Sequence, residues 1–168
     1  MTISAIAKRP GITARLRRQK AGRLKREEIA NKQEVRDRDV ECRFPLCPCR
    51  RFNLFLEVSH KEHKGIGGDP SGARSTPALM VLVCNWRHKE DRFSIDKHGI
   101  RWAGLTDAGA NGPIAWSIDL GKFAPATFPA GTWIEIAREV RPRVLAPLSV
   151  QQIEMLEHLG IALKRRFS

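Results

Sequence analysis

Four cysteines constrain this chain more than any other feature. They read Cys42-x4-Cys47-x-Cys49 and then, after a long gap, Cys84-x3-His88. Pro45 and Pro48 fall inside the first run, and two prolines so close exclude a helix or a central strand. The segment therefore reads as a knuckle that turns its sulfurs inward. Thiols kept reduced serve better as metal ligands than as disulfides. A tetrahedral ion such as zinc takes four sulfur or nitrogen ligands, usually from two separate chain segments. Cys42, Cys47 and Cys49 from the knuckle, with Cys84 from the second segment, make such a set. His88, one helical turn after Cys84, is the rival fourth ligand, and buried cysteines without metal are the plain alternative.

The 168 residues are expected to form one domain, or one domain with a tail. Thirty Lys and Arg face 18 Asp and Glu, a net charge of +12. That imbalance attracts polyanions, and nucleic acid is the expected partner. No window approaches a membrane span and no secretory signal is visible, so the expectation is a cytoplasmic protein with no membrane partner.

Three segments follow from the pattern. Residues 1–38 are a basic N-terminal helix or arm. Pro10-Gly11 breaks any earlier helix, and Ala14–Arg38 is predicted helical, interrupted only by Gly22. From Lys8 to Arg26 there are nine basic residues and no acidic one. Arg15, Arg17, Arg18, Lys20 and Arg23 are the candidate phosphate contacts. Residues 39–104 form the core. Here Phe52–Val58 reads as a strand, Lys64–Arg74 as a loop and Pro77–Lys89 as a helix with proline at its first position. Phe93–Ile95 and Gly99–Trp102 read as short strands. Residues 105–168 are an extension. A strand is predicted over Ile114–Leu120, a helix over Thr132–Val140, and a second helix over Ser149–Leu159, with Ser149 and Gln152 as its capping box.

Between the cysteines lies Glu57-Val-Ser-His60-Lys61-Glu-His63-Lys64-Gly65-Ile-Gly67-Gly68, followed by Val81-Leu-Val-Cys84-Asn-Trp-Arg-His88. A neutral imidazole can take a proton from water near pH 7. A divalent ion can neutralise a phosphate and its leaving oxygen. Histidines near glycines, beside a thiolate cluster in a basic chain, point to phosphodiester chemistry.

These residues resemble the HNH endonuclease family, and more narrowly the small HNH proteins common in phages and prophages. The resemblance covers about Arg38–His88. It implies an α+β fold: a zinc-stabilised ββα-metal core, here with a basic N-terminal helix and a small C-terminal α/β extension. It also implies metal-dependent DNA cleavage with Mg²⁺ or Mn²⁺. Carried over by position, His60 becomes the general base and His88 a ligand of the catalytic ion; His63 or Glu57 could supply further ligands where the family's own are missing. Cys84 and the knuckle cysteines hold a structural Zn²⁺, and Lys61, Lys64 and Arg74 touch flanking phosphates. The sequence departs from the family at Ser59, where an acidic or imidazole ligand is usual, at Leu79, where an Asn is usual, and at Arg87, which replaces the last zinc cysteine. Two readings follow: an HNH-type DNA endonuclease, or a zinc-containing nucleic-acid-binding module of the same fold without turnover, serving a phage or mobile-element assembly. A structural zinc protein whose charge serves assembly with an acidic partner is a third.

Overall fold

A computed structural model describes residues 11–45, 47, 54–61, 71–91 and 93–158. Helix α1 spans Gly11–Asp39, in line with the predicted helix, and at 1.5 Å per residue is about 43 Å long. It stops at Val40, whose φ of 56° is left-handed. A β-branched residue adopts that conformation at a cost, where glycine is usual. The helix meets the body mainly through its last turns. Val35 is fully buried against Val58, Met80 and Leu82. Asn31 Nδ2 donates to Ser75 O at 2.8 Å, and Arg38 donates to the carbonyls of Pro77 and Met80 at 2.9 and 2.8 Å.

Strands β1 (Leu56–His60) and β2 (Met80–Cys84) form an antiparallel hairpin with Val58 opposite Leu82 and His60 opposite Met80. The helix expected over Pro77–Lys89 is not formed. Pro77–Leu79 makes one tight helical turn, the chain then extends through β2, and Trp86–Glu90 closes a single wide helical turn. The reason lies in Met80-Val-Leu-Val-Cys84, all five of which are buried. A short apolar run gives no periodicity to separate buried strand from buried helix. Its two valines favour the pleat, and both faces are covered: Met80 and Leu82 by α1, Val81 and Val83 by the main core.

That core belongs to a four-stranded antiparallel sheet in the order β3-β4-β5-β6: Ile100–Gly104, Ile114–Asp119, Trp133–Arg141 and Val144–Leu145. Trp116, Ile114, Ile118, Ile136 and Leu156 are almost wholly buried in it, each aliphatic side chain contributing roughly 1.5–3 kcal/mol. Two further expectations fail here. Phe93–Ile95 lies in turns rather than a strand. Residues 132–140, predicted helical, form most of β5 instead. Pairing with β4 overrides propensity: Ile136 and Ala137 are buried, and the register shifts at a bulge between Trp116 and Ser117. A short helix, α2 (Leu120–Phe123), follows β4 and is capped by Asp119. Helix α3 (Val150–His158) starts with the expected capping box: Gln152 N–H donates to Ser149 Oγ at 3.2 Å, and Ser149 N–H to Gln152 Oε1 at 3.0 Å.

One buried ion network joins these parts. The Arg43 side chain is 1% exposed and donates to both carboxylate oxygens of Glu139, at 3.0 and 2.7 Å. It also donates to the carbonyls of Ala110 and Gly112. Asp39 lies 3.6 Å from it, accepts from Arg38 and receives the N–H of Leu82 at 2.9 Å. Arg43 therefore ties the end of α1, the knuckle and β5 together. Arg43→Met leaves Glu139 charged and buried without its partner, a class of change that costs about 3–5 kcal/mol. Chemical denaturation is expected to show a loss of that order, and Glu139→Gln a smaller one.

Candidate functional site

The knuckle is aimed by its backbone. Arg43 N–H donates to Leu82 O at 2.8 Å, which lays Cys42–Phe44 beside β2. Phe44 is buried and meets Trp116 edge-on at 5.1 Å. The sulfurs of Cys42, Cys47 and Cys84 consequently lie within 4.8 Å of one another, with Cys47 Sγ 3.1 Å from Cys84 Sγ. Three of the four expected ligands converge and could hold a metal ion; Cys49 lies outside the described residues. Cys84 N–H donates to Cys42 Sγ at 3.3 Å, and Arg87 N–H to Cys84 Sγ at 3.5 Å. Arg87 has its guanidinium 5.1 Å from the Phe44 ring and pairs with Asp91 at 2.5 Å. It thus offers the thiolates a counter-charge in place of a ligand.

The Cys84 thiol is lowered from about 9 to about 3, first by the hydrogen bond from Cys42, then by that from Cys47, with the Arg87 charge adding to them against the opposing effect of burial. The thiolate is the form that binds metal.

A second cluster lies on the helical turn after β2. His88 Nδ1 is 2.7 Å from Glu57 Oε2, and Nε2 is 3.3 Å from Asp96 Oδ1. Lys89 Nζ reaches the same Glu57 oxygen at 2.9 Å. Burial alone would raise the Glu57 carboxyl, but hydrogen bonds from Lys89 and His88 outweigh it and hold it below its ordinary value. Asp96 is brought in by backbone: its N–H donates to His88 O at 3.0 Å, and Ile95 N–H to Arg87 O at 2.9 Å. The residue pattern did not single out Asp96, which lies in the turn between Phe93–Ile95 and Gly99–Trp102. Its signal was only the Asp-Lys-His-Gly turn chemistry at residues 96–99.

The remaining candidates are scattered. Alternation along β1 puts His60 on the face of Val58, toward α1, and Glu57 and Ser59 on the other face. His60 and His88 therefore occupy opposite faces of the hairpin. Ser59 Oγ is buried with no hydrogen-bond partner among the described residues. Lys61 Nζ lies 5.9 Å from the Trp102 ring centroid, and Arg74 is exposed on the turn Ala73–Ser75. Arg15, Arg17, Arg18, Lys20 and Arg23 are all exposed on α1, Arg23 being 3.4 Å from Glu27. His63 and Lys64 lie outside the described residues. Among the described residues no helix is long and apolar enough to cross a membrane.

No family model, no curated protein and no solved structure matches this chain.

The acidity of Cys84 has a testable sign. A thiol near 3 when folded and near 9 when unfolded adds stability that is full above about pH 9 and is lost as pH falls toward about 3. In metal-free protein, thiolate ultraviolet absorbance is expected to persist at mildly acidic pH. Cys84→Ser should abolish that absorbance and flatten the rise of stability with pH over that window.

Proposed function

We propose that the protein is a DNA endonuclease of the HNH type, with a structural zinc at the cysteine knuckle and a second divalent ion at His88. The observation that carries this reading is the placement of His88 between Glu57 and Asp96. Histidines that ligate metals commonly donate the other ring N–H to a carboxylate, which fixes tautomer and orientation. With its proton on Nδ1, His88 donates to Glu57 and aims the Nε2 lone pair at the Asp96 carboxylate. Nε2 and Asp96 then form a nitrogen–oxygen donor pair. Asp96 supplies the carboxylate that Ser59 lacks.

The donor chemistries fit two different ions. Three converging thiolates suit zinc. An imidazole with a carboxylate suits Mn²⁺ better than Mg²⁺, which prefers oxygen ligands alone. An ion so bound would neutralise charge on the scissile phosphate and its leaving oxygen. Glu57 holds the His88 ring in place, and Lys89 keeps Glu57 ionised. The role of proton acceptor for the attacking water is carried over by position to His60, which ends β1 on the face of the hairpin opposite His88. The exposed cations of α1, with Lys61 and Arg74, bind phosphates.

A second reading, nucleic-acid binding without turnover, is favoured by the opposite facing of His60 and His88 and by the buried serine at position 59.

Plasmid cleavage separates the two. The zinc-loaded protein with Mn²⁺ is expected to nick or cut plasmid, and EDTA should stop it. Asp96→Asn and His88→Ala should abolish cleavage while leaving DNA affinity within a few-fold, with excess Mn²⁺ partly restoring Asp96→Asn. His60→Ala should lose about 10²–10⁴-fold in rate without metal rescue. Tight DNA binding with no cleavage under Mg²⁺, Mn²⁺, Ni²⁺ or Zn²⁺ would leave the binding module as the function.

A further inference from the structure

Helix α1 carries its charge in an arrangement that a simple phosphate-binding face does not need. From Gly11 to Arg26 it has no acidic residue, and residues 14–21 are exposed throughout. At about 100° per residue, Arg15 and Arg26 lie within about 20° of each other. On the same count Lys20 and Arg17 stand about 140–200° round the axis, and Arg18 and Lys25 about 280–300°. The cations encircle the helix. Beyond that point the pattern changes: Arg23 is paired with Glu27 and Lys32 with Glu28, at 3.4 and 2.7 Å, and the body begins. Only the segment that projects is bare of carboxylates.

Two partners for such a helix can be compared. A second helix would need an apolar seam at heptad spacing. Leu16 and Ile29 are exposed, but they are 13 positions apart, with arginines and lysines on every side between them. A single phosphate ridge would engage about half the circumference and leave the remaining cations in solvent. A major groove of B-form DNA has phosphates on both walls. It is about 12 Å wide, and a helix with its side chains is about 10–12 Å across.

We infer that the projecting half of α1 lies in the major groove of duplex DNA, with cations on opposite sides of the helix bound to opposite groove walls. The inference rests on the DNA-binding part of the function proposed above and is independent of cleavage. It selects DNA over double-stranded RNA, whose deep, narrow major groove does not admit side chains. It also assigns α1 an anchoring role. The exposed arginines and lysines of residues 14–26 are assigned to the groove-wall phosphates, contacts that position a protein without reading sequence.

The test uses the full chain, loaded with zinc, and a short DNA duplex, with anisotropy measured over a range of salt. Arg15→Gln/Arg26→Gln and Arg17→Gln/Lys20→Gln remove cations from opposite sides. All four residues are exposed, and circular dichroism checks that α1 persists. Each double variant is expected to reduce the slope of log affinity against log salt by about 1.8, at about 0.9 per lost phosphate contact. A duplex whose major groove is filled by glucosylated hydroxymethylcytosine should bind at least tenfold more weakly, netropsin in the minor groove should not compete, and double-stranded RNA should bind more weakly than DNA. A slope change in only one of the two variants, or equal binding to the glucosylated duplex, would overturn the groove assignment while leaving DNA binding intact. No binding to any DNA at low salt, with capture of an acidic protein instead, would overturn the assignment together with the DNA reading beneath it.

Discussion

The buried guanidinium of Arg43 is the contact on which the rest of the structure depends. It follows Cys42 directly, so fixing Arg43 against Glu139 of β5 and beneath the carbonyls of Ala110 and Gly112 fixes the knuckle. The knuckle in turn presents Cys42 and Cys47 to Cys84 at the end of β2. On the other side Asp39 links the same network to the end of α1 and to the backbone of Leu82. Buried ion pairs are seldom a large net source of stability, because desolvation offsets their attraction. Their effect is positional: a guanidinium with five fixed donors admits few alternative geometries. The C-terminal sheet is therefore part of the cysteine module's support.

That coupling explains which features were readable from residue order. Local signals came through. The proline-free run from Ala14 to Arg38, interrupted only by Gly22, predicted α1. Ser149 and Gln152 predicted the start of α3, and the proline-bearing knuckle predicted converging sulfurs. Long-range ones did not. Met80–Cys84 became a strand because two layers cover it, and residues 133–141 became a strand because β4 is there to pair with. Glu139 gives no local hint of burial, since its partner lies 96 positions away. Asp96 reaches His88 only because a backbone hydrogen bond folds the following turn onto the helical turn.

The two candidate sites use opposite chemistries within a few residues of chain. Cys84 is the last residue of β2 and belongs to a soft, partly buried thiolate cluster. His88, one turn on, belongs to a harder nitrogen and oxygen pair. Arg87 lies between them, its charge lowering the Cys84 thiol while its side chain pairs with Asp91. Under the proposed function, such a division would let one ion hold the fold while another is exchanged, and the basic helix would meet the phosphate backbone from outside.

Anomalous diffraction from crystals grown with zinc and soaked in Mn²⁺ tests this division most directly. The account predicts two separate peaks: zinc bonded to the sulfurs of Cys42, Cys47 and Cys84, and manganese bonded to His88 Nε2 and an Asp96 oxygen, with Glu57 retained on Nδ1. Absence of any peak at His88 under saturating Mn²⁺, with the imidazole still held between its two carboxylates, would contradict it.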